Sequence, residues 1–110
     1  MFFKRAADLG SFSPEKMSKT TLAQGSSLFA GLNSFEPGQE HALHAHEGQD
    51  KLYVLLQGSG IVQIGDQTEH LDAGDVAFAA SGVMHSIRNP GPERLVVMAI
   101  LAPPPHLPKA

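Results

Sequence analysis

Two of the six histidines in this chain, His44 and His46, are separated by a single residue in the run from Gly38 to Lys51. In an extended strand, residues two apart project from the same face. The spacing therefore predicts that both imidazoles point one way, with ring nitrogens free to converge. Imidazole is the commonest protein ligand for Zn, Fe, Ni and Cu. A third ligand has to come from another strand, and His85 is the candidate. It follows Gly82 in a turn and opens a short strand, where it can be aimed into a cavity. The chemistry this predicts is the binding of one divalent metal with coordination positions left open. The other three histidines read as ordinary polar positions. His41 is out of register with the pair, His70 sits in a hairpin, and His106 sits in a Pro-rich tail.

Other chemistries fail on spacing. There are no cysteines, which excludes a disulfide scaffold, a thiolate metal site and a Cys nucleophile. His46-Glu47 starts like a zincin helix, but Asp50 stands where the second His is needed and Gly48 interrupts the helix. Ser59 and Ser81 lie beside glycine without the Gly-x-Ser-x-Gly elbow. Gly58-Ser59-Gly60 is too short for a phosphate loop, and no helix follows it.

The elements that must position these residues are strands. With 11 Gly and 8 Pro in 110 residues, the chain is rich in turns. Strands are predicted at 27–36, 51–57, 61–64, 67–71, 76–79, 85–88 and 94–101, each bounded by a turn signal such as Pro37-Gly38 or Gly65-Asp66. Seven or eight short strands at this spacing predict an all-β sandwich or barrel. No stretch reads as a long amphipathic helix, which disfavours a parallel βαβ fold. Residues 1–25 read as an N-terminal arm carrying Phe2, Phe3 and Phe12, buried on its own core or on a second subunit. Within it, Ser13-Pro14-Glu15-Lys16-Met17 reads as a short helical turn with Ser13 as N-cap. Residues 26–102 read as one barrel domain and 103–110 as a Pro-rich tail.

Two motifs within this pattern resemble the cupin family. Gly38, His44, His46 and Gly58 match the first cupin motif, and Gly74, Gly82, His85 and Asn89 match the second. The resemblance covers about half the chain. It implies a double-stranded β-helix, a jelly-roll barrel, holding one divalent metal (Fe, Mn, Ni, Zn or Cu) inside. It implies His44, His46 and His85 as ligands, the three already selected by spacing. The chain departs from the family at two positions. Ala80 replaces a proline, and Lys51 stands where the family carries a ligating Glu. An ammonium repels a cation, so the fourth ligand falls to Asp50 or Gln49, or to solvent. Lys51 itself, facing the cavity, would bind an anion or transfer a proton. With Tyr53 it is the candidate catalytic residue.

The expected function is metal-assisted chemistry on a small organic molecule held in the barrel, dioxygenase- or isomerase-like. The alternative is a non-catalytic or metal-free binding module. The lining is expected from among Phe35, Leu43, Tyr53, Leu55, Val62, Phe78, Met84 and Met98, and such an apolar wall suits an aromatic or polyketide-like ligand. A net charge of -3, with no basic tract, gives no expectation of nucleic-acid binding. No run is long enough for a membrane span, and Met1 to Ala7 is too short and charged for a secretory signal, so the cytoplasm is the expected compartment. Open sheet edges and the resemblance both lead us to expect a homodimer.

Overall fold

The computed structural model describes residues 3–105. Phe2 and His106 lie outside the described residues. Nine strands are present: β1 (Ser18–Gln24), β2 (Phe29–Phe35), β3 (Glu40–His44), β4 (Asp50–Gln57), β5 (Ser59–Ile64), β6 (Gln67–Asp72), β7 (Val76–Ala79), β8 (His85–Arg88) and β9 (Leu95–Ala102). They form two antiparallel sheets. One has the order β1-β2-β9-β4-β7 and the other β3-β8-β5-β6. This is the all-β double-stranded β-helix expected from the motifs. No helix among the described residues is long and apolar enough to cross a membrane.

Alternation fixes what each strand presents. In β4, Lys51, Tyr53 and Leu55 are buried on the inner face, while Asp50, Leu52 and Val54 face outward. The central strand β9 is apolar throughout because both of its faces are covered. Leu95, Val97 and Ala99 join Phe35, Tyr53 and Leu55 in the core between the sheets. Val96 packs on the opposite side with Leu22 and Leu32, under Ala6 and Phe12 of the N-terminal segment. Burying each large apolar side chain contributes roughly 1.5–3 kcal/mol.

Two motif residues serve the frame. Gly58 has φ +79°, and a Cβ there would stand 2.2 Å from the Arg94 carbonyl oxygen, so no other residue fits. Asn89 is buried, and its amide donates to the carbonyls of Phe35 (3.0 Å) and Glu93 (2.8 Å). Its own carbonyl oxygen accepts from Gly91 N (2.8 Å), tying the β8–β9 loop to the end of β2.

Several expectations are corrected. Residues 18–24, read as part of an arm, form the first strand and pair with β2. The helical turn at 13–17 is a series of bends. The Ser13 carbonyl, which a helix would use, accepts from the Gln39 amide at 2.7 Å instead. The only helical turn among the described residues is a 3-10 turn at Ala6–Asp8. Phe12 is packed, with the Arg94 guanidinium 4.2 Å above its ring, but Phe3 is 84% exposed on this chain. Of the expected lining, Phe35, Tyr53, Leu55 and Val62 are buried in the core. Leu43, Phe78 and Met84 are exposed. The pairing Leu52↔Phe78 puts Phe78 on the outer face, and Val54↔Met98 does the same for Met98.

Candidate metal centre

The three histidines meet where β3 ends and β8 begins. His44 is the last residue of β3 and pairs across the ladder with His85, the first of β8. His46 lies two residues beyond the strand, not in it, so a shared strand face does not account for its position. A set of loop hydrogen bonds does. Gly82 N donates to the His46 carbonyl (3.0 Å), Gly48 N donates to Ser81 Oγ (2.7 Å), and Ser81 N donates to Asp50 Oδ1 (3.0 Å). The loop after β3 is thereby clamped to the turn before β8.

The rings stand close together. Centroid separations are 4.2 Å for His44–His85, 4.9 Å for His44–His46 and 5.5 Å for His46–His85. One nitrogen from each lies within 4.8 Å of the others. Nitrogens bound to one tetrahedral ion stand about 3.4 Å apart, so small ring rotations close the set. The tautomers are also prepared. His44 Nδ1 donates to the Ala42 carbonyl, and His85 Nδ1 donates to the Val83 carbonyl at 2.9 Å. A carbonyl only accepts, so the proton sits on Nδ1 and the lone pair on Nε2. Both Nε2 atoms are buried with no hydrogen-bond partner among the described residues. Burial pushes the pKa of His44 and of His85 down. His46 is lowered to about 4, by burial first and then by the charge of Lys51. All three are neutral at pH 7, as ligation requires. The donor set fits a divalent ion.

The fourth position lacks a carboxylate. Asp50 is exposed on the outer face of β4, where its side chain caps the Ser81 turn. Gln49 is turned away as well, its amide donating to the Pro103 carbonyl at 3.0 Å. Lys51 does face inward, 3% exposed, with its ammonium 4.8 Å from the centroid of the Tyr53 ring. Burial, then the charge of Lys19, lower its pKa to about 8, which leaves it mostly protonated at neutral pH. Tyr53 is fully buried, its ring centroid 6.0 Å from that of His85. Its hydroxyl has no partner among the described residues, and burial pushes its pKa up.

His41 is the residue that strand parity hides. A bulge in the β3–β8 ladder between His41 and His44 brings its ring to 4.1 Å from that of His44. Nothing in the residue types announces a bulge there. Beside the triad lies a cavity of about 280 Å³. His41, His46, Lys51, Lys19 and Asn33 line it, with Phe29 and Leu101 among its apolar walls. Lys19 and Asn33 are cross-strand partners in β1 and β2. Lys19 reaches the cavity only because Ser18–Gln24 pairs with β2 as a strand. The lining is not uniformly apolar, as the sequence led us to expect, and it contains no Asp or Glu.

Residues 31–101 match the cupin domain family. The chain belongs to the cupin family. Among curated proteins this cupin is 35% identical over 85 residues to an oxalate-binding protein of Thermotoga maritima, covering 77% of this chain and 69% of that one. It is 33% identical over 82 residues to the tetracenomycin polyketide synthase protein TcmJ of Streptomyces glaucescens, covering 72% of this chain. It spans only 55% of that relative. Among solved structures, TT1209 from Thermus thermophilus superposes with a TM-score of 0.92 at 34% identity, covering 96% of this cupin and 100% of that chain.

Proposed function

We propose that this cupin holds one divalent metal ion through Nε2 of His44 and His85 and a ring nitrogen of His46, and presents it to a small organic ligand in the adjoining cavity. The observation that carries the reading is the pair of buried Nε2 atoms, each unpartnered while its own Nδ1 is locked on a carbonyl. When bound, the ion would supply Lewis-acid polarisation of a ligand oxygen at its open positions. The chain's own residues orient the ligand. Lys51 and Lys19 offer cationic donors, and the apolar walls exclude water. Dioxygenase-like or isomerase-like turnover is the reaction class we assign. The family relatives named above for oxalate and for a polyketide pathway support an oxygen-bearing organic ligand.

The test is elemental analysis of protein purified without a tag or chelator, beside the His85→Ala variant. We expect about one Fe, Mn, Ni, Zn or Cu per chain in the wild type and loss of that metal in the variant. No metal in the wild type even after reloading would overturn the reading. It would leave the second one, a metal-free ligand-binding cupin, which the inward-facing Lys51 favours.

We further propose that two copies pair through the outer face of the five-stranded sheet. Leu52, Val54, Val76 and Phe78 form an apolar stripe there, and Val76 and Phe78 are more than half exposed.

A further inference from the structure

We infer that the ligand of this cupin is a small organic carboxylate, seated with one acid group against the Lys51 ammonium and its other oxygens towards the three-histidine centre. The inference rests on the proposed function and specifies its substrate class.

The argument is one of missing countercharge. Lys51 is 3% exposed and sits on the inner face of β4 between Leu101 and Ala79, its ladder partners. A buried ammonium is rarely left without an anion. No described acidic group serves it. Asp50 caps the Ser81 turn on the opposite face. Glu36 pairs with Arg94 at 2.8 Å. Glu47 lies against Gly82, and both it and Glu40 are exposed. Lys51 takes part in no ion pair among the described residues, and its near neighbours are the Tyr53 ring, 4.8 Å from its ammonium, and the neutral imidazoles. Lys19, exposed on β1, adds a second cationic side chain to the lining of the same cavity. Three neutral imidazoles would leave the full charge of a divalent ion uncompensated as well. With no Asp or Glu in the lining, every strong charge in the cavity is positive.

The remaining walls decide what kind of anion. Phe29 and Leu101 stand in one cross-strand row with Lys51, and Ala99 lines the same cavity, so a carbon frame finds apolar contact beside the ammonium that inorganic phosphate would not use. A volume of about 280 Å³ lies at the lower end for ligand pockets, which favours a small acid. Lys51 thus stands at the family's carboxylate position with the reverse sign. The acid that other cupins supply from the protein is here supplied by the ligand.

Calorimetric titration of the full chain tests this, in metal-loaded and metal-stripped forms, with malonate, its uncharged analogue malonamide, and inorganic phosphate as probes. We expect malonate to bind the loaded protein, with malonamide and phosphate at least about tenfold weaker. Lys51→Met should weaken malonate about tenfold or more while leaving metal content unchanged. Lys51→Glu should abolish malonate binding and raise metal affinity, a pair of opposite effects that a merely structural lysine would not produce. Equal binding of malonate and malonamide, preference for phosphate, or malonate binding that survives Lys51→Met would each overturn the inference. Metal bound without malonate binding would sink the carboxylate assignment and leave the metal centre standing. Malonate bound through Lys51 to a chain that takes no metal would sink the metal centre and leave the anion site.

Discussion

His44 and His85 each spend Nδ1 on a backbone carbonyl and keep Nε2 buried and unpartnered. An unpartnered buried acceptor costs about 1–3 kcal/mol, so the apo centre is a place where the fold gives up stability. His85→Leu should therefore leave the chelated protein within about 1 kcal/mol of wild type, or above it. It should also remove the gain in Tm that added metal confers on the wild type. Melting with and without metal checks this. A large loss in the chelated form would mean that His85 is held by partners other than a metal. Titration gives two further signs. His46 falls from its ordinary 6.5 to about 4 on folding, so the unfolded chain binds that proton first as the medium is acidified. Its contribution is complete above about pH 6.5 and is lost as pH falls towards 4. Bound metal should leave in the same window. Lys51, lowered from 10.5 to about 8, works at the other end. Burying its charge costs stability below pH 8, and that cost is relieved as pH rises towards 10.5. The chelated wild type should gain on Lys51→Met across that alkaline range in parallel melts. A constant difference would contradict the burial of Lys51.

Positioning belongs to loops and ladders. His46 reaches the centre because the loop after β3 is tied to the turn before β8, with Asp50 accepting from Ser81 N. Asp50 is a positioning residue. Asp50→Ala should lower metal affinity about tenfold, the low end for residues that orient ligands. Asp50→Asn, whose amide oxygen still accepts from Ser81 N, should keep most of it. Competition with a chromophoric chelator measures both, and equal loss in the two variants would make Asp50 a ligand instead. Gly58 is the structural counterpart. Any side chain there meets the Arg94 carbonyl oxygen. Gly58→Ala should destabilise by at least about 1–3 kcal/mol in urea melts, with the metal affinity of the folded fraction unchanged.

For the whole molecule, the two sheets enclose one core, and Phe12 and Ala6 cover part of the outer face of the five-stranded sheet. In the stripe from Leu52 to Phe78, Val76 and Phe78 stay more than half exposed on a single chain. Light scattering coupled to size exclusion should give twice the 11.7 kDa chain mass. Phe78→Glu should halve it without loss of metal, since Phe78 faces away from the cavity. A wild-type mass near 11.7 kDa would remove the dimer.

The amino-acid sequence by itself determined most of the strands, their turns and the three histidines. These rest on local rules: apolar alternation, glycine and proline at turns, and residue types that ligate metals. β8 over His85–Arg88 and β7 over Val76–Ala79 were legible to the residue for that reason. β1 was not, because Ser18–Gln24 is mostly polar and becomes a strand only by pairing with β2. His41 and Lys19 were equally hidden. A bulge shifts the first, and a cross-strand neighbour brings the second to the cavity. The sequence leaves open which of Asp50 and Lys51 faces the cavity, because a one-residue slip reverses a strand's faces. Only the ladder to β9 and β7, which turns Lys51 inward with Tyr53 and Asp50 outward with Leu52, decided the sign of the charge beside the three histidines. Which residues are available is a property of the chain. Which of them share a cavity depends on register, and register is set by contacts between strands far apart in sequence.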